Sequence, residues 1–300
     1  LVRTDSHVCI LSFSIAKNRI AAKGAKYLAE VLNVNTSMTF VDLSDNILEA
    51  KGAAALAPAF KSTSLTSMNL SNTKLGVRSR DNDGRGPWVN DPTGVQALAQ
   101  ELSVSTSMTK LNIWDSNIGV EGATAIVNAA PTQMRTLCGD MFEEGQTEAD
   151  LSYKSASKWD KVLVDGEAAV ISYVNSNGTY DVKFENGSSS DYVEPGRINL
   201  SDGTKLTRKL GPEEAILIAW DLRAGFVSSS MTFLDLSSNG LCGLYTVEWR
   251  SGLQGTYDVT GIKAIADALS VSSSMKSLKY VIPPLFFSNL VGTGFSLERS

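Results

Sequence analysis

MTFVDLSDNIL occupies residues 38–48, and LTSMNLSNTKL (65–75), MTKLNIWDSNI (108–118) and MTFLDLSSNGL (231–241) fall on the same frame. Each puts apolar residues at its first, fourth, sixth and last positions. ILSFSIAKNRI (10–20) is an earlier copy, and MRTLCGDMF, from 134, is a degenerate one that leaves the geometry of 137–145 undetermined. After the copies come Gly/Ala-rich stretches such as GAKYLAEVLNVNTS (24–37), GVQALAQELSVSTS (94–107) and GIKAIADALSVSSS (261–274). Apolar residues there recur at three and four, as in Ile262, Ile265, Ala266 and Leu269, the stripe of a helix buried on one side. Copies start at 10, 38, 65, 108, 134, 231 and 275. The short spacings are one repeat, and the long ones are a repeat plus an insertion. A strand, a turn and a helix in about 28 residues predict a curved array with strands inside and helices outside.

Within the frame, Leu43 and its equivalents Ile15, Leu70, Ile113 and Leu236 fill the space between strand and helix. Asn18, Asn46 and Asn239 stand where the chain leaves the strand, with Thr73, Ser116 and Phe142 in their place elsewhere. A buried amide there satisfies backbone groups of adjacent coils, so these residues are structural rather than catalytic. The LxxLxLxxNxL frame and its Gly-Ala helix resemble the leucine-rich repeats of the ribonuclease-inhibitor type, over roughly 10–137 and 205–282. The resemblance implies an α/β fold, a solenoid of parallel strands inside and helices outside, and a protein-binding role. Repeats are expected over 1–145 and 205–282, and an apolar C-terminal tail or cap over 283–300.

Three insertions interrupt the array. The first, Arg78 to Pro92, is polar, and Gly84, Gly86 and Pro87 argue against regular structure in it. The last, Leu244 to Asp258, holds Trp249 and Tyr257; GTYDV recurs there at 255–259, running into a helix. The middle one reads as strands at 161–165, 168–175, 179–185, 189–194 and 197–200, separated by Asp165-Gly166, Asn177-Gly178, Asn186-Gly187 and Pro195-Gly196. Short strands with such turns predict a small barrel over 158–200, inserted in the fifth repeat. Ala169, Ile171, Gly178, Tyr180, Val182, Phe184, Gly187, Val193 and Ile198 give it a pattern similar to SH3-like barrels of the Tudor/agenet kind. The resemblance places an aromatic cage for methylated side chains at Asp165-Gly166, Glu167, Phe184 and Asn186-Gly187, where Phe184 alone is aromatic. A docking or spacer module is therefore expected, and a chromatin- or RNA-associated reader is the alternative.

Composition closes other routes. Three hundred residues at 43% hydrophobic content can bury a substantial core. A net charge of −5 without any Lys/Arg-rich run argues against nucleic acid as a partner. His7 is the one histidine, and it precedes the first repeat, so histidine-based acid–base chemistry and metal ligation have no material. No phosphate-binding, zinc-protease, serine-hydrolase or CxxC motif is present. Glu213-Glu214 reads as the first turn of a helix. No enzyme activity, cofactor, metal site or small-molecule substrate is expected. Three scattered cysteines, Cys9, Cys138 and Cys242, point to an intracellular, reducing compartment, with the cytoplasm as default. A chain opening on Leu1 rather than methionine leaves an organelle open. The late apolar stretch Val281 to Leu297 is broken by Pro283-Pro284 and Ser288-Asn289 and is too interrupted for a membrane span.

What remains is surface. Alternation turns the residues between the core positions into the groove. One row reads Ser12, Phe40, Ser67, Lys110, Thr136 and Phe233; the next Ser14, Asp42, Asn69, Asn112, Cys138 and Asp235; the third Ala16, Ser44, Ser71, Trp114, Asp140 and Ser237. Trp114 stands where other copies hold Ser or Ala, and an aromatic in a polar surround is a common interface anchor. Phe40, Asp42, Lys110, Trp114, Asp140, Phe233 and Asp235, with Phe286 and Phe287 of the tail, are the expected contacts with other proteins in a multi-subunit assembly.

Overall fold

The computed structural model describes residues 11–79, 88–152, 154–156, 158–175, 179–207, 209–225, 227–243, 245–247, 250–280 and 296–298. In chain order, β1 (Ser12–Ser14) precedes α1 (Ala22–Val34), and β2 (Phe40–Asp42) precedes α2 (Glu49–Leu56). β3 (Ser67–Asn69), the pair β4 (Val77–Ser79) and β5 (Trp88–Asn90), and α3 (Thr93–Leu102) follow. Next come β6 (Lys110–Asn112), α4 (Gly119–Ala129) and β7 (Glu148–Asp150). The middle insertion holds β8 (Lys161–Val164), β9 (Glu167–Val174), β10 (Tyr180–Phe184), β11 (Ser189–Val193) and β12 (Ile198–Leu200). Then α5 (Pro212–Ala224), β13 (Phe233–Asp235), β14 (Tyr245–Val247), β15 (Arg250–Gln254), α6 (Thr260–Val271), β16 (Ser277–Lys279) and β17 (Ser296–Glu298) complete the chain. Among the described residues no helix is long and apolar enough to cross a membrane. The chain divides into two compact units: Leu1–Gln146 with Pro212–Met231 and Thr260–Ser274, and Thr147–Gly211 with Thr232–Val259 and Met275–Ser300.

In the first unit β1, β2, β3 and β6 form a parallel sheet in that order, with Ser12, Phe40, Ser67 and Lys110 in register. Each helix from α1 to α6 packs on the next. Val41, Leu43, Met68, Leu70, Leu111 and Ile113 are buried between strands and helices, as the frame requires. The turn leaving each strand repeats too: Lys17, Asp45, Asn72 and Asp115, at one position of the frame, all take positive φ. The polar ladder follows. Asn46 Oδ1 accepts from the Asn18 and Ile20 amides at 3.1 and 2.8 Å, while its Nδ2 donates to the Ile15, Leu43 and Ser44 carbonyls. Ser116 continues it, donating to the Leu70 carbonyl at 2.7 Å and accepting from the Thr73 amide.

One expectation is corrected here, and the geometry left open at 137–145 is resolved. The polar insertion at 78–92 does hold regular structure at its ends: β4 and β5 pair antiparallel, the Lys74 ammonium lies over the Trp88 ring, and Arg78 pairs with Asp91. Cross-strand contacts of this kind compensate for the turn-forming residues between. The copy at 134 forms bridges from Thr136 to Lys110 and from Cys138 to Asn112, then a single 3-10 turn, Gly139–Met141, in place of a helix. Twelve residues separate it from the next strand start, too few for a strand and a helix.

In the second unit β7, β13, β16 and β17 form a parallel sheet, ordered β17-β16-β13-β7. β7 is a copy that the frame did not reveal, and the insertion follows it in sequence, so the fifth-repeat placement is one copy too early. β17 adds a strand within 283–300, where a tail or cap was expected. Asn239 serves this sheet as Asn46 serves the other, donating to the Leu151 carbonyl and accepting from the Leu210 amide. The insertion is a five-stranded antiparallel sheet, ordered β11-β10-β9-β8-β12. Val162, Val164, Ala169, Ile171, Tyr180, Val182, Val193 and Ile198 form its core together with Ala156 and Leu206, which lie outside 158–200. β14 and β15 pair antiparallel in the last insertion.

Candidate protein-binding face

The strand face of the first unit carries Phe40 and Lys110 in one row, two strands apart through Ser67, which is about 10 Å at the usual strand spacing. Asp42 stands in the next row between Ser14 and Asn69, and Trp114 lies two residues beyond Asn112. Phe40, Asp42 and Trp114 are half-buried and Lys110 is exposed. The acids of the second row have a structural task that pattern reading missed. Asp42 Oδ1 accepts the Ser44 amide at 3.0 Å, Asn69 the Ser71 amide at 3.1 Å, and Asn112 the Trp114 amide at 3.1 Å. An Asp or Asn bonding the amide two residues on is a turn device. Its signal was in the sequence, since Asp and Asn interchange at this position of the frame, and the bond to the amide two residues on needs only the side-chain oxygen that both carry. Asp42 Oδ2 still accepts from the Ser14 hydroxyl at 3.0 Å, but neither Asp42 nor Lys110 forms an ion pair among the described residues.

The face does not extend through the copy at 134. Thr136 and Cys138 are buried, and the buried Asp221 carboxylate of α5 accepts from the Thr136 hydroxyl at 2.7 Å and the Leu137 amide at 2.8 Å. Burial drives the Asp221 pKa up to about 6 against those hydrogen bonds, and burial with the adjacent Asp221 raises the Cys138 thiol. A low-dielectric site disfavours either charge. Asp140 falls in the 3-10 turn.

The second unit places Phe233, half-buried, in register between Glu148 and Ser277, and Asp235 between Asp150 and Lys279. Its acids are already neutralised. Asp235 accepts the Ser237 amide at 2.8 Å and pairs with the Lys279 ammonium at 3.0 Å; burial opposes its charge, but these bonds outweigh it and hold the carboxyl below the usual range. Asp150 repeats the arrangement with Ser152 and Lys154. Phe286 and Phe287 lie outside the described residues. In the insertion, Phe184 packs partly against the core and Asp165 is held by Arg197, while Trp159, Tyr173 and Tyr192 are exposed. Cys138 and Cys242 are free and buried.

The family model described as Leucine Rich repeat matches residues 34–57, from the last residue of α1 through β2 and α2, and residues 104–127, from just after α3 through β6 and most of α4. Those two segments are leucine-rich repeats. No curated protein matches it. Among solved structures, "Leiomodin-1 Actin-Binding Site 2 (ABS2)" is similar at 17% identity over 42% of this chain and 68% of that one, with a TM-score of 0.35.

Proposed function

We propose that the chain is a non-enzymatic protein-binding module, an adaptor or scaffold subunit of a larger assembly, and that the strand face of its first unit is the principal contact surface. One observation carries this reading. On that face a carboxylate and an ammonium, Asp42 and Lys110, stand without ion-pair partners among the described residues, beside two half-buried aromatics set among serines and asparagines. Phe40 and Trp114 are the anchors in such an arrangement, and the charges give orientation. The equivalent acids of the second unit, Asp150 and Asp235, are occupied by lysines and serve the fold. We further read the repeats as a solenoid of the ribonuclease-inhibitor type and the insertion as an SH3-like barrel used for docking. The strand order β11-β10-β9-β8-β12, in which the last strand returns beside the first, supports the latter.

A photo-crosslinking residue at position 114 is expected to capture a discrete partner in cells. The same residue at Val104, exposed on the helix side, captures none of it. Phe40→Ser abolishes the capture at 114, and Asp42→Asn, which keeps the turn bond but removes the charge, weakens it. Equal labelling from both positions would sink the assignment of the face.

A further inference from the structure

Along the helix side of the first unit α5 lies between α4 and α6, and its outward positions differ from those of its neighbours. α4 turns Thr124 and Asn128 to solvent, and α6 turns Lys263 and Asp267, all exposed. The matching side of α5 carries Ile216, Ala219 and Trp220, at the spacing of one helix face and at 5, 5 and 7% exposure. They are the floor of a trough of about 390 Å³ whose walls are those polar residues of α4 and α6. Arg223 continues the α5 face one turn further on and lines the trough as well. Asp221 apart, every residue from Ala215 to Leu222 is apolar. A helix apolar on its outer side as well as its inner one is an element made to be covered.

The charges around this floor say what covers it. The chain carries a net −5, yet Arg223 and Lys263 outnumber Asp267 here, and neither cation forms an ion pair among the described residues. Gly261 sits against Pro212 and Ala215, so α5 and α6 start level with each other. Lys263 therefore stands beside the first turn of α5 and Arg223 on its last, about two helical turns or roughly 11 Å apart. A helix laid in the trough spans that distance from i to i+7, with i+3 and i+4 on the same side. Carboxylates at i and i+7 meet the two cations, and large apolar residues at i+3 and i+4 cover Ile216 and Trp220. Asp267, one turn after Lys263, disfavours a further carboxylate midway.

We propose that the α4–α5–α6 trough is a second docking site, separate from the strand face, for an amphipathic helix of a protein partner with acids seven residues apart and two large apolar residues between them. Fluorescence anisotropy of the full chain with a labelled, hydrocarbon-stapled helical peptide carrying Glu-x-x-Leu-Leu-x-x-Glu tests it. Saturable binding that weakens with added salt is expected. Arg223→Gln and Lys263→Gln each raise Kd about three- to fivefold, as does replacing the facing Glu of the peptide by Gln. Ala264→Gln, which fills the trough, raises it about tenfold or more with unchanged circular dichroism. Lys51→Gln, at an exposed lysine of α2, leaves Kd unchanged. No saturable binding, equal binding of a scrambled peptide, or indifference to the two cation substitutions would overturn the proposal. So would binding of indole-3-acetate in the trough without binding of the peptide, since the site would then belong to a small amphipathic acid.

Discussion

Asn46 and Asp221 show how differently two buried polar side chains can serve one fold. Asn46 is neutral and makes five hydrogen bonds, so it links two coils without any dependence on pH. Asp221 does similar linking for the helix-less copy, but with a carboxyl that burial raises to about 6. An unfolded aspartate titrates near 3.9. Between those values the folded state holds a proton that the unfolded state has lost, so stability falls as pH rises through the window. Two units correspond to about 3 kcal/mol, fully present below pH 4 and gone above pH 6. Relative to Asp221→Asn, the wild-type chain is therefore expected to lose denaturant resistance from pH 4 to 6.5; a difference that stays flat would mean that the carboxyl titrates normally. The asparagine ladder was legible because the frame repeats it. Asp221 was not, because its partners lie more than eighty residues away and no periodicity connects them.

The helices owe their packing to glycine at the position that faces the previous coil. Gly94 is the tightest case, with the Ala50 carbonyl in the space a methyl would need. Gly94→Ala is expected to cost about 1–3 kcal/mol by forcing α2 and α3 apart, whereas Gly196→Ala, which meets nothing within 4 Å, stays within about 0.5 kcal/mol. Urea denaturation of the two variants compares them, and equal losses would show that crowding at Gly94 is relieved by a small helix shift. Strand phase was the most readable feature: β1, β2, β3, β6, β13 and β16 each begin two residues into a copy of the frame. β7 escaped because Ala149 replaces the large apolar residue and Glu148 and Asp150 flank it, which hides the alternation. The β4–β5 pair escaped because its stabilising contacts, Lys74 on Trp88 and Arg78 with Asp91, are side-chain pairings that turn propensity does not register.

For the chain as a whole, the insertion is the largest departure from repetition, and its chain ends show how it is tolerated. Lys154 and Thr207 exchange backbone and side-chain hydrogen bonds at 2.7 and 3.0 Å, so the segment leaves and returns at one place. Its core closes without help from the repeats' frame residues: Ala156 and Leu206 join the strand residues, and the Ala156 amide bonds the Tyr180 hydroxyl at 3.3 Å. The sequence-based limits of 158–200 cut through this core. The chain doubles back at Asp202-Gly203, and the Leu206 amide bonds the Ile198 carbonyl. We therefore take 156–206 as the removable segment. Replacing it with a short Gly/Ser linker between Ser155 and Thr207 should leave the repeats folded, because repeat stability comes from neighbouring coils and a loop tied at both ends adds little closure entropy. Far-UV circular dichroism and a thermal scan test this, and the transition midpoint should move by no more than about 4 °C, the equivalent of roughly 1 kcal/mol. Removing only 158–200 should do worse, since it strands Ala156 and Leu206 as exposed apolar remnants. If both deletions abolish the transition, the insertion is part of the repeat core; if 158–200 is tolerated and 156–206 is not, the sequence-based boundary is the right one.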